Sequence, residues 1–174
     1  MYKRQDSGSD RIFEALEKYD KSKKYKIIIN LQGDLPNINP LLINRTYKLL
    51  IENSSADIST LCSPIFDSKE IENPNIVKAY IKNSVKPIYA NDFVRVPGSY
   101  EHKKLFHHLG IYGYKRSSLM KFISMKQSPR EKEIKLEQLR ALDNGMKIVI
   151  DFTNDIPIGV DTENDLNNIR KEFE

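Results

Sequence analysis

Two periods of hydrophobic and polar positions follow one another along the chain. Ile12, Phe13 and Leu16 recur at helical spacing, which predicts an amphipathic helix over 10–19 with Ser9 as its cap. The apolar run 27–31 is typical of a strand that is buried on both faces of a sheet. The same reasoning predicts helices at 40–53, 117–124, 129–144 and 162–173, and strands at 58–65, 108–114 and 146–152. Cap residues mark where three of these helices begin: Asn39, Ser128 with Glu131, and Thr162 with Asp165.

A polar link at 82–85 separates two further apolar runs, 76–81 and 86–91, which is the layout of an antiparallel hairpin. Elsewhere strands alternate with helices, so we expect a three-layer α/β fold with a mostly parallel sheet and one inserted hairpin. Ligands of such folds bind beyond the carboxyl ends of the strands. Asp34, which follows the run 27–31, therefore belongs to the expected site.

Composition narrows the class of protein. With 174 residues, of which 39% are hydrophobic, the chain has the size of one globular domain. No segment approaches the roughly 20 apolar residues of a membrane helix, and the first six residues are too polar for a signal peptide. Cys62 is the single cysteine, so no intrachain disulfide can form, which fits a reducing, cytoplasmic compartment and a small core residue.

The formal net charge is +4, and the lysines are dispersed except for a cluster at 21–26 that also contains Tyr25. Such a cluster could contact nucleic acid, but it is more often a solvated loop. No nucleic-acid-binding motif accompanies it. We therefore expect no nucleic-acid partner, and a small anionic ligand suits the charge equally well.

Two aspartates could hold a metal ion, and each has a structural explanation as well. Asp34 follows a glycine at a strand end, where it could bind a metal or cap the turn into 35–40. Asp161 precedes the predicted cap at Thr162, where acidic side chains are common. Mg²⁺ usually takes one or two carboxylates, with water and phosphate oxygens completing its shell. Two separated aspartates at one sheet edge would be enough.

The other polar candidates are weaker on local grounds. His108 opens a predicted strand and could be a partly buried histidine bonded to backbone. Glu137 and Gln138 lie in a predicted helix, where they could equally face solvent. Taken one by one, these residues predict only an α/β domain with an acidic strand edge.

Four segments in a fixed order change this interpretation. They are NLQGDLP (30–36), HLGIYGY (108–114), KLEQLRAL (135–142) and GVDTENDL (159–166). The same segments occur in this order in CMP-Kdo synthetases, the cytidylyltransferases that activate 3-deoxy-manno-octulosonate (Kdo). DSGSDRIFEAL (6–16) resembles the SGTDR or SGTER segment of that family. The chain is therefore similar to CMP-Kdo synthetases from about Asp6 to its C-terminus.

The resemblance implies a nucleotide-diphospho-sugar transferase fold of Rossmann-like type, usually as a homodimer. It implies a reaction in which CTP and Kdo give CMP-Kdo and pyrophosphate with magnesium, for lipopolysaccharide biosynthesis. By position, Asp34 and Asp161 would hold Mg²⁺. The other matched positions comprise Gln32 beside the metal, His108, Glu137 and Gln138 at the sugar acid, and Gly8 with Arg11 near the nucleotide.

Three departures from the family pattern stand out. QGDLP has Leu35 where the family has glutamate, which leaves the ligand Asp34 in place. ANDFVR (90–95) replaces the FSR tripeptide whose arginine meets the Kdo carboxylate, so Arg95 is the candidate substitute. The resemblance implies a first strand and a phosphate-binding loop before Asp6, and we expect this polypeptide to lack both.

Residues 1–5 (MYKRQ) resemble a translated adapter sequence. We expect residues 6–174 to form a single cytidylyltransferase domain. We therefore expect the parent gene to encode an active enzyme and this polypeptide alone not to turn over. Two alternatives stay open. The substrate could be 8-amino-Kdo or another sugar acid, or the chain could be a non-catalytic α/β binding module.

Overall fold

The computed structural model describes residues 7–160 and 162–172, and these contain seven α-helices and seven strands. The helices are α1 (Gly8–Tyr19), α2 (Pro40–Glu52), α3 (Lys69–Glu72), α4 (Arg116–Ser124), α5 (Pro129–Ile134), α6 (Gln138–Asp143) and α7 (Glu163–Glu172). The strands are β1 (Ile27–Asn30), β2 (Ile58–Ser63), β3 (Lys78–Tyr80), β4 (Ile88–Tyr89), β5 (Asp92–Val94), β6 (Leu105–Lys115) and β7 (Ile148–Phe152). A 3₁₀ turn at His102–Lys104 leads into β6. Asp161 and the expected adapter residues 1–5 lie outside the described part of the chain.

The long strand β6 organises the sheet, whose order is β4-β7-β2-β6-β3-β5, with β1 also paired to β6. One edge of β6 carries β2. The opposite edge is shared by two strands, because β1 pairs with residues 112–115 and β3 with residues 105–107. Between these two partners, residues 108–111 of β6 have no strand beside them on that edge among the described residues. The sheet is therefore interrupted at this point.

A bulge in β6 lies at the same point. Thr60 pairs with Tyr112 and Cys62 with His108, so two steps along β2 correspond to four along β6. Gly110, inside the bulge, has φ +73°, a left-handed conformation that glycine adopts without steric cost. Bulges disrupt the ladder locally and re-aim side chains, and they are frequent beside active sites.

Helices cover both faces of the sheet, as a three-layer fold requires. Alternate residues of β2 point to opposite sides, so Ile58 and Cys62 join one cluster while Leu61 joins another. The larger cluster packs the sheet against α1, α4 and α6, with Phe122 and Leu139 fully buried. On the other face, α2 packs on the sheet and supplies its buried apolar side chains to two smaller clusters. The α/β class is confirmed, and so is Cys62 as a core residue.

The prediction of a mostly parallel sheet is wrong. Among the described residues, β2 with β7 is the parallel pairing, and the other five pairings are antiparallel. β6 accounts for three of the antiparallel pairings, because it runs antiparallel to β1, β2 and β3. A continuous apolar run indicates burial on both faces, but it carries no information about the direction of the neighbouring strand.

The predicted hairpin of 76–81 with 86–91 is also wrong. β3 lies in the first run and β4 in the second, but β4 pairs with β7, and β3 pairs with β5 and β6. β5 follows β4 directly and takes the antiparallel position beside β3. The polar link at 82–85 therefore crosses between two parts of the sheet.

Two helix boundaries differ from expectation. Ser7 caps α1, since its Oγ accepts from the Asp10 amide, and Ser9 lies within the first turn. The predicted helix 129–144 is two helices, α5 and α6, which are separated at Lys135 in a left-handed conformation. The capping box of Ser128 with Glu131 is confirmed. Within the described residues, none of the helices is both long and apolar enough to span a bilayer.

Candidate active site

A cleft of about 940 Å³ opens at the interruption of the sheet, where β1 ends and β3 begins. Its floor includes residues 107–110 of β6, and its walls come from the segment after β1, the loop before β3, and α5 with α6. The residues expected from sequence that line it are Gly8, Gln32, Asp34, Arg95, His108, Glu137 and Gln138. The fold thus gathers into one cavity residues that are up to 130 positions apart in the sequence.

Gln32 and Asp34 enter the cleft because β1 ends at Asn30. Gln32 lies against Gly8, where an added Cβ would be 2.9 Å from the Gln32 Nε2. A side chain at position 8 would therefore displace the amide of Gln32. The side chain of Asp34 is exposed at the edge of the cleft, and its carbonyl accepts a hydrogen bond from the Val160 amide at 2.9 Å.

The hydrogen bond between the Val160 amide and the Asp34 carbonyl lies next in sequence to Asp161, the second expected metal ligand. Asp161 lies outside the described residues, but its sequence neighbour Val160 is tied to Asp34, and Gly159 and Thr162 line the cleft. The residues on both sides of Asp161 therefore lie at the edge where Asp34 is exposed.

Glu137 is held by the first turn of α1. The Ser9 amide donates to Glu137 Oε2 at 3.3 Å, and the Ser9 hydroxyl donates to Oε1 at 3.2 Å. The N-terminus of a helix favours a carboxylate, because its first amides lack partners within the helix. Ser9 Oγ also lies 2.9 Å from the Tyr114 hydroxyl. Burial, and then the charge of Glu137, raise the pKa of Tyr114, which stays a neutral phenol.

His108 is buried, and its hydrogen bonds fix its tautomer. The Thr60 hydroxyl donates to the Ile111 carbonyl at 2.7 Å, so it can only accept from His108 Nε2 at 2.9 Å. Nε2 therefore carries the proton, and Nδ1 is left as a hydrogen-bond acceptor. Burial, reinforced by the neighbouring His107, lowers the pKa of His108 from 6.5 to about 3. The imidazole is neutral at physiological pH, packed edge-on against Phe93.

Gln138 and Arg95 belong to the remaining wall. Gln138 is the first residue of α6, and 4% of its surface is exposed. Arg95 follows β5 and lines the cleft, but its guanidinium donates to the carbonyls of Pro74, Ile134 and Lys135. Arg95 is therefore in the expected place, with three of its five N–H groups bonded to backbone.

Arg11 lines a smaller pocket of about 150 Å³ next to the main cleft. Gly8 and Gln32 border both cavities. The residues expected near the nucleotide and those expected near the sugar acid thus occupy adjoining compartments.

The donors at the cleft edge suit magnesium better than a transition metal. Asp34 offers carboxylate oxygens, which Mg²⁺ prefers. Across residues 7–160 and 162–172, no group of three or more histidine, cysteine or acidic side chains could hold a metal by itself. A site that uses one or two carboxylates and completes its shell with phosphate oxygens and water fits these residues.

Several residues of the site were not expected from sequence. Ser9 and Tyr114 support Glu137, Thr60 orients His108, and Lys135 borders the cleft. Ser9 is 128 positions from Glu137, so no local pattern could connect them. The left-handed conformation at Lys135 also lacks a local signal, because lysine is a good helix former.

The mixed sheet with helices on both faces is the nucleotide-sugar transferase fold, which solved structures of nucleotidyltransferases share. A 4-diphosphocytidyl-2C-methyl-D-erythritol synthase from Anaerococcus prevotii shares this fold, with a TM-score of 0.56 at 11% identity over 96% of this chain and 66% of that one. A model of the cytidylyltransferase family matches residues 2–148. The chain belongs to this family, and within it to the 3-deoxy-manno-octulosonate cytidylyltransferases.

Relatives with that name support this assignment. The enzyme of Bartonella henselae is 45% identical over 169 residues, which are 95% of this chain and 68% of that protein. The enzyme of Brucella anthropi is 43% identical over 171 residues, 95% of this chain and 67% of that protein. A structure of CMP:2-keto-3-deoxy-manno-octonic acid synthetase complexed with CTP superposes with a TM-score of 0.85 at 30% identity, covering 97% of this chain and 68% of that one.

Proposed function

We propose that this protein activates Kdo with CTP, giving CMP-Kdo and pyrophosphate. The observation that carries the proposal is the single cleft in which Gln32, Asp34, His108, Glu137 and Gln138 meet. The names of the relatives supply the substrates, and the cleft supplies side chains whose chemistry suits a polyhydroxylated sugar acid.

The sugar is proposed to lie along β6 and α6. His108 Nδ1 is an acceptor for a sugar hydroxyl, because Nε2–H is engaged by Thr60. The Gln138 amide can both donate and accept, and Glu137, fixed by Ser9, accepts from hydroxyl groups. Rigid polar groups of this kind orient a sugar and hold its anomeric hydroxyl in one direction.

The nucleotide is proposed to lie beside Gly8 and Arg11, in the smaller compartment. Asp34 and Asp161 are proposed to hold Mg²⁺, which when bound supplies positive charge to the triphosphate. In the reaction the anomeric oxygen of Kdo bonds to the α-phosphorus of CTP, the bond to the β-phosphate oxygen breaks, and the hydroxyl proton is released. Phosphoryl transfers of this type depend on positioning and charge stabilisation, so few protein groups need to react.

The proposal also includes a homodimer, a cytoplasmic location and a place in lipopolysaccharide biosynthesis. These rest on the resemblance to CMP-Kdo synthetases, and the single buried thiol of Cys62 is compatible with a reducing compartment. Sedimentation equilibrium would decide the oligomeric state directly.

The function is tested in a chimera in which this chain replaces the part of the Bartonella henselae enzyme that it matches. With CTP, Kdo and Mg²⁺ we expect CMP-Kdo, detected by mass spectrometry, and less product with 8-amino-Kdo or sialic acid. Asp34→Asn should lower turnover at least about 100-fold, since a metal ligand is lost.

The matched control is Glu133→Gln, which removes the same charge from an exposed position on α5 and should leave turnover unchanged. A folded chimera that makes no CMP-Kdo would refute the proposal. Preferred use of another sugar acid would correct the substrate.

A further inference from the structure

Arg95 connects two walls of the cleft. Its Nε donates to the Ile134 carbonyl at 2.9 Å and its Nη2 to the Lys135 carbonyl at 3.3 Å, both in the link between α5 and α6. Its Nη1 donates to the Pro74 carbonyl at 3.1 Å, in the loop before β3. The forked guanidinium can bond to several separate acceptors at once, whereas an ammonium group is a compact point charge.

Lys78 extends this connection beneath the cleft. Its ammonium group is completely buried and donates to the carbonyls of Asn73 at 2.6 Å and Ile76 at 2.8 Å, and also to that of Arg95. The main chain of Arg95 is thereby fixed to the loop before β3. Two buried or half-buried cations thus hold this loop and the α5–α6 link as one unit.

Lys135 lies in the α5–α6 link of this unit, and its side chain lines the cleft. It has φ +56° and ψ +50°, a conformation that costs a residue other than glycine about 1 kcal/mol. Its carbonyl is bonded to Arg95, and its exposed side chain lines the cleft two positions before Glu137. Within the described residues the Lys135 ammonium group makes no hydrogen bond or ion pair. Strained positions that persist often mark functional sites.

We propose that Lys135 binds the carboxylate of the sugar acid and that Arg95 is a positioning residue, which holds Lys135 in place for that contact. This inference rests on the proposed function. The same link leads into Glu137 and Gln138, so Arg95 also fixes the groups that face the sugar hydroxyls. Lys135 then recognises the carboxylate, while Glu137 and Gln138 recognise the hydroxyl groups. Mutations can therefore affect one kind of contact without the other.

The experiment compares Kdo with its counterpart reduced to an alcohol at C1, each titrated calorimetrically into the 174-residue chain with CDP and Mg²⁺. Wild type should bind Kdo more tightly. Lys135→Met should weaken Kdo binding about tenfold and leave the alcohol unaffected, because one charged hydrogen bond is lost. Arg95→Lys keeps the charge but loses the fork, so both ligands should weaken by a similar factor.

Lys132→Met is the matched control, because Lys132 also lines the cleft and lies one helical turn earlier. It should change Kdo affinity less than about twofold, as expected for a screened charge without direct contact. Lys135 is exposed, so its variant is expected to fold and decides the question even if Arg95→Lys unfolds.

Three results would overturn the inference. Lys135→Met could leave Kdo binding unchanged, or Lys132→Met could weaken it as much. Arg95→Lys could weaken Kdo alone, which would make Arg95 the carboxylate ligand. A fourth result, wild type that binds neither ligand, would overturn the inference as well, and the product assay with the chimera shows separately whether the proposed function also fails.

Discussion

His108 shows how far a single residue can be understood from sequence and where structure is needed. Its place in HLGIYGY indicates a residue that binds the sugar acid, but the sequence pattern does not reveal its protonation state. The contact with Thr60, 48 positions away, assigns the proton to Nε2 and leaves Nδ1 to accept. His108 is therefore a neutral hydrogen-bonding group, and proton transfer by this residue is not expected near neutral pH.

This assignment predicts a specific dependence of stability on pH. The pKa of His108 is about 3 in the folded chain and near 6.5 when unfolded, so the unfolded chain binds one more proton between these values. The contribution of neutral His108 to the free energy of unfolding is complete above pH 6.5 and is lost as the pH falls toward 3. The free energy of unfolding therefore changes with a slope on the order of 1 kcal/mol per pH unit in this range. Urea unfolding between pH 7 and 4.5 should show this slope in wild type and its loss in His108→Gln. Parallel profiles would contradict the assignment.

The other site residues divide by the range of their contacts. Gln32, Asp34, Glu137 and Gln138 lie in short motifs that resemble a family, so their positions could be predicted. Ser9 and the partners of Arg95 could not, because each contact joins segments that become neighbours only in the folded chain. Arg95 was expected from sequence as a substitute ligand, and its bonds to carbonyls appear only in the structure.

At the scale of elements, the sequence predicts one helix over 129–144 where the structure has two, α5 and α6. Glu131 completes the capping box of α5, and its carboxylate also receives two hydrogen bonds from Arg140 of α6, at 2.6 and 2.9 Å. Both side chains are almost fully buried, and the guanidinium lies 4.4 Å from the centre of the Phe122 ring. The ion pair thus joins α5 to α6, on either side of the link that contains Lys135.

Breaking this pair should be costly, because it leaves a buried charge without its partner. We predict that Glu131→Gln destabilises the fold by about 3 kcal/mol. Ser128→Ala, which removes only the cap, should cost about 1 kcal/mol. Urea unfolding at pH 7 measures both, with exposed Glu133→Gln as the control, expected to change stability by less than about 0.5 kcal/mol. A Glu131→Gln variant as stable as the control would show that the pair does not hold the helices together.

Most strands and helices could be placed from periodicity, but the sheet could not be assembled from it. β5 takes the place beside β3 that the predicted hairpin assigned to β4, and β4 pairs with β7 instead. The bulge of β6 depends on its pairing with β2. Pairing depends on which edges are available in three dimensions, and hydrophobic period does not encode that choice.

For the whole molecule, the interruption of the sheet beside β6 is the feature that opens the cleft in a three-layer fold. β1 and β3 leave residues 108–111 of β6 uncovered, and the cleft occupies this gap. The gap brings the segment after β1, the loop before β3 and the α5–α6 link around one cavity. We propose that the ligand of this cleft is Kdo.

The most direct measurement is a titration of the ¹⁵N-labelled chain with Kdo and Mg²⁺, followed by amide chemical shifts. We expect saturable shifts concentrated at the cleft, at Gly110, Lys135 and Gln138, with the amides of α2 on the far side of the sheet unchanged. Shifts that centre on α2, or a spectrum unaffected by millimolar Kdo, would contradict it.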